Sequence, residues 1–141
     1  MEYKEVFEKE IISRTLGLLQ EYSGPYEKTL LLNCCIGLLI TPKEFLWDKL
    51  PETPINKKEW GICPSEIKMN GEKTVKQVVR HIRNAISHND VKYSSENGKD
   101  ITHIRIISKD RNVETFKIDN LKVESFETFV KQFANWALEN I

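Results

Sequence analysis

The run LLLNCCIGLLI, from Leu30 to Ile40, constrains the fold of this chain more than any other stretch. Its eleven residues hold one strongly polar side chain, Asn33. A membrane-spanning helix needs about 20 apolar residues, so the run is too short to cross a bilayer. A helix that is apolar nearly all round must instead be surrounded by other elements. The remainder of the chain therefore has to supply amphipathic pieces that wrap it. Glu2 to Tyr22 reads as one such helix, with Tyr3, Phe7, Ile11, Leu18 and Tyr22 on a stripe and Ile12, Leu16 and Leu19 beside it. Ser23-Gly24-Pro25 should stop it, because Gly permits the left-handed cap and Pro cannot continue a helix. The central helix then runs from Tyr26 to Ile40. Thr41-Pro42-Lys43-Glu44 has the form of a capping box with proline at the first helical position. It opens a further helical turn through KEFLWDKL, which Pro51 and Pro54 end.

From Asn56 to Gly71 no period is visible, and the stretch reads as an irregular connection with about one helical turn. Thr74 to His88 is the next helix, with Thr74 and Gln77 as a second capping box. The period then changes. ITHIRIIS (Ile101 to Ser108) and VETFKI (Val113 to Ile118) are rich in β-branched residues, with Asp110-Arg111-Asn112 between them, which is the pattern of a β-hairpin. Asn97-Gly98 marks a turn upstream. The chain closes with a helix whose stripe, Val123, Phe126, Phe129, Val130, Phe133, Trp136 and Ala137, reads as core. The expected fold is mainly α: an antiparallel bundle of four to five helices with a small β-hairpin inserted before the last helix. Residues 1–141 are expected to form a single domain.

Charge narrows the function. Lys and Arg together number 21 and Asp and Glu 21, so the formal net charge is zero. A strongly basic nucleic-acid binder is excluded, and any such contact must come from a local patch. One patch exists: Glu72 to Lys92 holds five Lys or Arg against two acids. The start, MEYKEVFEKE, alternates charges where a signal peptide would be apolar. The three cysteines cannot close a disulfide set, and none has zinc-ligand spacing. Buried thiols in a reducing compartment follow, so the protein is expected to be cytoplasmic, with no membrane partner.

The patch centres on VVRHIRNAISHNDVK (Val78 to Lys92). On a helix turning about 100° per residue, Val75, Val78, Val79, Ile82, Ala85 and Ile86 share one face, which should bury against the central helix. Arg80, Asn84, Ser87 and His88 lie opposite, with Arg83 on one flank and His81 on the other. Arginine's planar fork matches phosphate oxygens. Histidine moves protons near neutral pH. Together they suit cleavage of a phosphodiester through its own 2′-hydroxyl, a reaction restricted to RNA. It requires no metal and no cofactor, and no acidic cluster is visible to hold a metal. Solvated helix faces of this composition are common, however, and wheel geometry alone favours that plainer reading. Arg80 is a phosphate-attracting or structural cation, His81 is expected at the surface, and His103, in the hairpin, is given no role.

The residues Arg83-Asn84-Ala85-Ile86-Ser87-His88 resemble the motif of the HEPN superfamily (higher eukaryotes and prokaryotes nucleotide-binding domains): an Arg, a short spacer that commonly opens with Asn, then a His. The segment TLLLNCCIGLLITPKEF is similar to the apolar central helix of small single-domain bacterial HEPN proteins. The hairpin and final helix match that group too, so the resemblance covers about Glu2 to Glu139. It implies a homodimer in which two motif helices form one composite, metal-independent endoribonuclease site acting on RNA. Arg83 would hold the scissile phosphate and His88 would transfer the proton. Asn84, with Arg80 and Ser87 beside it, would support them. It further implies a toxin or phage-defence effector that leaves a 2′,3′-cyclic phosphate. An antitoxin or another defence partner fits that pattern. Toxins silenced by a nucleotidyltransferase carry a Tyr two residues after the His; here Asp90 stands there and Tyr93 comes later, so that kind of partner does not carry over. A non-catalytic HEPN module that binds nucleotide, RNA or protein is the alternative.

Overall fold

The computed structural model describes residues 2–21, 27–40 and 44–140. Its elements, in order, are α1 (Glu2–Glu21), α2 (Glu27–Ile40), α3 (Glu44–Asp48), α4 (Lys57–Trp60), β1 (Ile67–Met69), α5 (Val75–Ser87), β2 (Val91–Ser94), β3 (His103–Asp110), β4 (Val113–Lys122) and α6 (Val123–Asn140). The expected stop at Ser23-Gly24-Pro25 and the capping box at Thr41 to Glu44 lie outside the described residues, as do the side chains of Tyr3, Phe7 and Tyr22.

The apolar run behaves as its composition demands. Leu31, Leu32, Cys35, Leu38 and Leu39 of α2 are buried, and only Asn33 and Gly37 on this helix are exposed among the residues with described side chains. α2 packs against α1, α5 and α6. On α1 the buried side is the one carrying Ile12, Leu16 and Leu19 rather than Leu18, which is 47% exposed. The aromatic stripe of α6 is core: Phe126, Phe129, Val130, Phe133 and Ala137 are buried. Trp47 of α3 stacks on Phe133 with ring centroids 5.3 Å apart, and Trp60 meets Phe129 at 5.9 Å. These offset pairs dock both short helices onto α6. Of the three thiols expected to be buried, only Cys35 is; Cys34 and Cys63 are half-buried. All three cysteines are unpaired, and burial, ahead of the nearby Glu127, pushes Cys35 up to about 12.

The expectation of a mainly α bundle with one small hairpin is overturned. The hairpin is the middle of a four-stranded antiparallel sheet in the order β1-β4-β3-β2. Its turn is Arg111-Asn112, with φ of 51° and 66°, the paired left-handed geometry that suits the twist of a two-residue hairpin loop. β1 and β2 are three and four residues long. Segments so short carry no readable alternation, and they are strands only because the long hairpin offers them an edge to pair with. The sheet also changes the partner of α5. Val75, Val78, Val79, Ile82 and Ala85 are buried as expected, but chiefly against β3, with α2 and α3 as further contacts. Among the described residues no helix is long and apolar enough to cross a membrane.

A candidate nucleic-acid cleft on helix α5

α5 is built with defined ends. Thr74 Oγ1 accepts a hydrogen bond from the Gln77 backbone N–H at 3.2 Å, satisfying a donor at the start of the helix. At the other end Asn89 turns left-handed, with φ of 56°. The Asp90 N–H returns to the Ala85 carbonyl at 2.8 Å, and the His88 N–H reaches the Asn84 carbonyl at 3.1 Å. This closure satisfies carbonyls that would otherwise be orphaned. The Asp90 carbonyl then accepts from Ile107 N–H at 3.1 Å, which ties the helix end to β3.

The polar side of α5 borders an open cleft of about 360 Å³, lined by Trp47, Asp48, Arg80, Arg83, Asn84 and Ser87. Arg83 is half-buried, and its guanidinium carbon stands 4.6 Å from the centroid of the Trp47 ring. Trp47 is itself 5% exposed and stacked on Phe133, so the cation rests on a rigid platform. Arg80 is exposed. Asn84 spends its amide on the sheet: Nδ2 donates to Ser108 Oγ at 2.9 Å and to the Lys109 carbonyl at 3.2 Å. It joins helix to strand rather than orienting His88. Ser87 is exposed on the cleft wall. His88 follows it at the helix cap and is exposed, but it does not line the cleft. One chain therefore brings Arg80, Arg83, Asn84 and Ser87 together and leaves His88 outside the lining.

Two residues came from where the sequence offered no signal. Trp47 and Asp48 belong to α3, and only the tertiary fold sets that short helix beside α5. His81 also departs from expectation. It is half-buried, stacked on Phe116 with centroids 4.9 Å apart and planes at 7°, and its Nδ1 is 3.2 Å from Ser108 Oγ. Burial, and secondarily the charge of Arg80, lowers its pKa. His103 is buried, with Nδ1 2.9 Å from Thr102 Oγ1 and 3.6 Å from a Glu96 carboxylate oxygen. Asp90 contributes its backbone to the helix closure, and Tyr93 sits in β2.

With two arginines to one acid, the cleft attracts an anion. One arginine is held over the Trp47 ring, and its planar fork suits a bidentate contact with phosphate oxygens. Among the described residues, no three His, Cys, Asp or Glu side chains gather as metal ligands. No curated protein and no solved structure gives a significant match to the chain. A family model described as HEPN pEK499 p136 matches residues 1–141, and the chain belongs to that HEPN family.

Proposed function

We propose that this protein is a metal-independent endoribonuclease whose active unit is a homodimer of single HEPN domains, each residues 1–141. Family membership suggests a nuclease or a nucleotide-binding module. The observation that carries the nuclease reading is the pairing of Arg80 and Arg83 in one open cleft with His88 one residue beyond its wall. In this mechanism Arg83 neutralises the scissile phosphate as negative charge builds on it. His88 takes the 2′-hydroxyl proton or returns one to the leaving 5′-oxygen. Arg80 draws the backbone in, and Asn84 and Ser87 shape the wall. The product is a 2′,3′-cyclic phosphate, and the setting is cytoplasmic, as a toxin or phage-defence effector.

The test is an assay on total RNA with and without EDTA, followed by end-group analysis. Cleavage that survives chelation and leaves cyclic phosphate ends is the expected result. Loss of activity on chelation, or 3′-hydroxyl ends, overturns the mechanism. A non-catalytic module that binds nucleotide, RNA or a protein partner is the second reading. It is favoured by the same Arg83–Trp47 stack and Asn84–Ser108 bond, which a purely structural role would also use.

A further inference from the structure

α5 borders a second depression, larger than the first. This groove of about 550 Å³ runs beside the N-terminal half of the helix, and its lining includes Glu52, Met69, Asn70, Glu72, Gln77 and His81. Its chemistry is the reverse of the arginine cleft. Glu52 and Glu72 face a single lysine, Lys76, whose Nζ is already 3.6 Å from the Glu52 carboxylate. Such a lining repels phosphate and favours groups that donate hydrogen bonds. Its ring is braced: one face of His81 lies on Phe116 and Nδ1 is within hydrogen-bond reach of Ser108, so the remaining ring surface is what borders the groove.

The two depressions meet through one atom. Ser108 Oγ, on a residue 1% exposed, bonds His81 of the groove at 3.2 Å and Asn84 of the cleft at 2.9 Å. Gln77 and Asn84 are about 10 Å apart along the helix axis at 1.5 Å per residue. That is the scale of one nucleotide, from its phosphate to the far edge of its base. Cations at one end and carboxylates, amides and a fixed ring at the other match the two ends of a nucleotide.

Resting on the ribonuclease reading, we propose that the groove is a base subsite beside the scissile phosphate. It takes a base that carries an exocyclic amino group, so guanine, adenine or cytosine in preference to uracil. Carboxylates accept from exocyclic amino groups, whereas uracil has none and offers only an N3–H flanked by two carbonyl oxygens that a carboxylate repels. Met69 supplies an adaptable apolar contact for the base face.

The first experiment does not require catalysis. With only three histidines in the chain, the ring signals of His81 can be followed by NMR while GMP, AMP, CMP or UMP is added. The three amino-bearing nucleotides should shift the His81 ring with at least fivefold tighter apparent binding than UMP, and Glu72→Gln should shrink that difference. Equal response to UMP, or shifts confined to the arginine cleft, overturns the subsite. The second experiment maps cut sites in RNA. Glu72→Gln and Gln77→Ala, with circular dichroism unchanged, should relax base preference at one position flanking the cut. An unaltered cut pattern counts against the proposal. If the wild-type protein cuts no RNA, the nuclease reading fails, and the His81 titration still decides the groove.

Discussion

Arg83 carries its charge over the face of Trp47, so in the proposed mechanism it would hold the fold as well as a phosphate. A cation over an aromatic ring contributes roughly 0.5–2 kcal/mol, more as the pair is desolvated. Arg83→Ala should therefore destabilise the protein by about 1 kcal/mol in urea unfolding, while His88→Ala, at an exposed cap, should change it by less than about 0.5 kcal/mol. Both should abolish cleavage. A His88→Ala protein with native circular dichroism and full activity would remove His88 from the mechanism. Arg83→Lys is a sharper probe, since it keeps the charge and loses the planar guanidinium fork. His81 makes a separate prediction. Its folded pKa lies below the ordinary value of about 6.5, because burial, then Arg80, disfavours the charged ring. The unfolded chain thus takes the proton first as pH falls. The stability this neutral ring confers is complete above about pH 6.5 and is lost as pH falls below it through the depressed folded value. His81→Phe should flatten the pH dependence of the urea midpoint between about pH 7 and pH 5. An unchanged slope would mean that other groups set the acid sensitivity.

At the level of elements, the long pieces were legible and the short ones were not. α2, α5, α6 and the β3–β4 hairpin each span enough residues for a period to show, and Thr74 caps α5 as its sequence implied. β1 and β2 depend on the hairpin's edges, and α3 brings Trp47 to Arg83 through packing that no local pattern encodes. The site followed the same division: the polar residues of α5 could be read, their partners on α3 and β3 could not. His81 was misplaced because its stack is with Phe116 on β4, far along the chain. Connections nonetheless carry strong constraints. Gly61 caps α4 with φ of 78°, and a Cβ there would lie 2.8 Å from both the Ser125 carbonyl oxygen and the Thr128 Cβ of α6. The left-handed backbone alone costs an L-residue roughly 1–2 kcal/mol. With the clash added, Gly61→Ala should lose more than about 2 kcal/mol of stability. The Arg111-Asn112 turn predicts the opposite sign. Replacing it with Asn-Gly suits two left-handed residues better and should stabilise by about 0.5–1 kcal/mol in thermal unfolding. A loss there would mean that Arg111 or Asn112 makes contacts worth more than the backbone relief.

For the whole molecule, the proposed mechanism raises the question of how His88 and Arg83 would serve one phosphate. Arg83 lies on α5 and His88 is its C-cap, five positions on; residues so spaced on a regular helix point about 140° away from each other. The arginine cleft of one chain includes Arg83 and does not include His88. In the proposed homodimer, a two-fold axis near the end of α5 would resolve this, because each chain's His88 could then face the cleft of its partner. The same axis would draw together two copies of Arg80 and Arg83, so that a chain whose net charge is zero would acquire a strongly cationic centre as a dimer. Like charges brought together weaken the association they create. Salt screens that repulsion over a Debye length of about 10 Å at 0.1 M, and a bound polyanion cancels it outright. The dimer should therefore tighten as salt rises from about 10 mM to 0.1 M, and tighten further with a short RNA present. Light scattering should give about twice the 16.5 kDa chain mass. Activity per chain should fall on dilution through the dissociation range, and a mixture of Arg83→Ala and His88→Ala chains should recover part of it. That recovery requires a site built from two chains, since neither variant alone holds both groups. A monomer with undiminished specific activity at every concentration, or mixed variants that stay inert while forming dimers, would rule the composite site out.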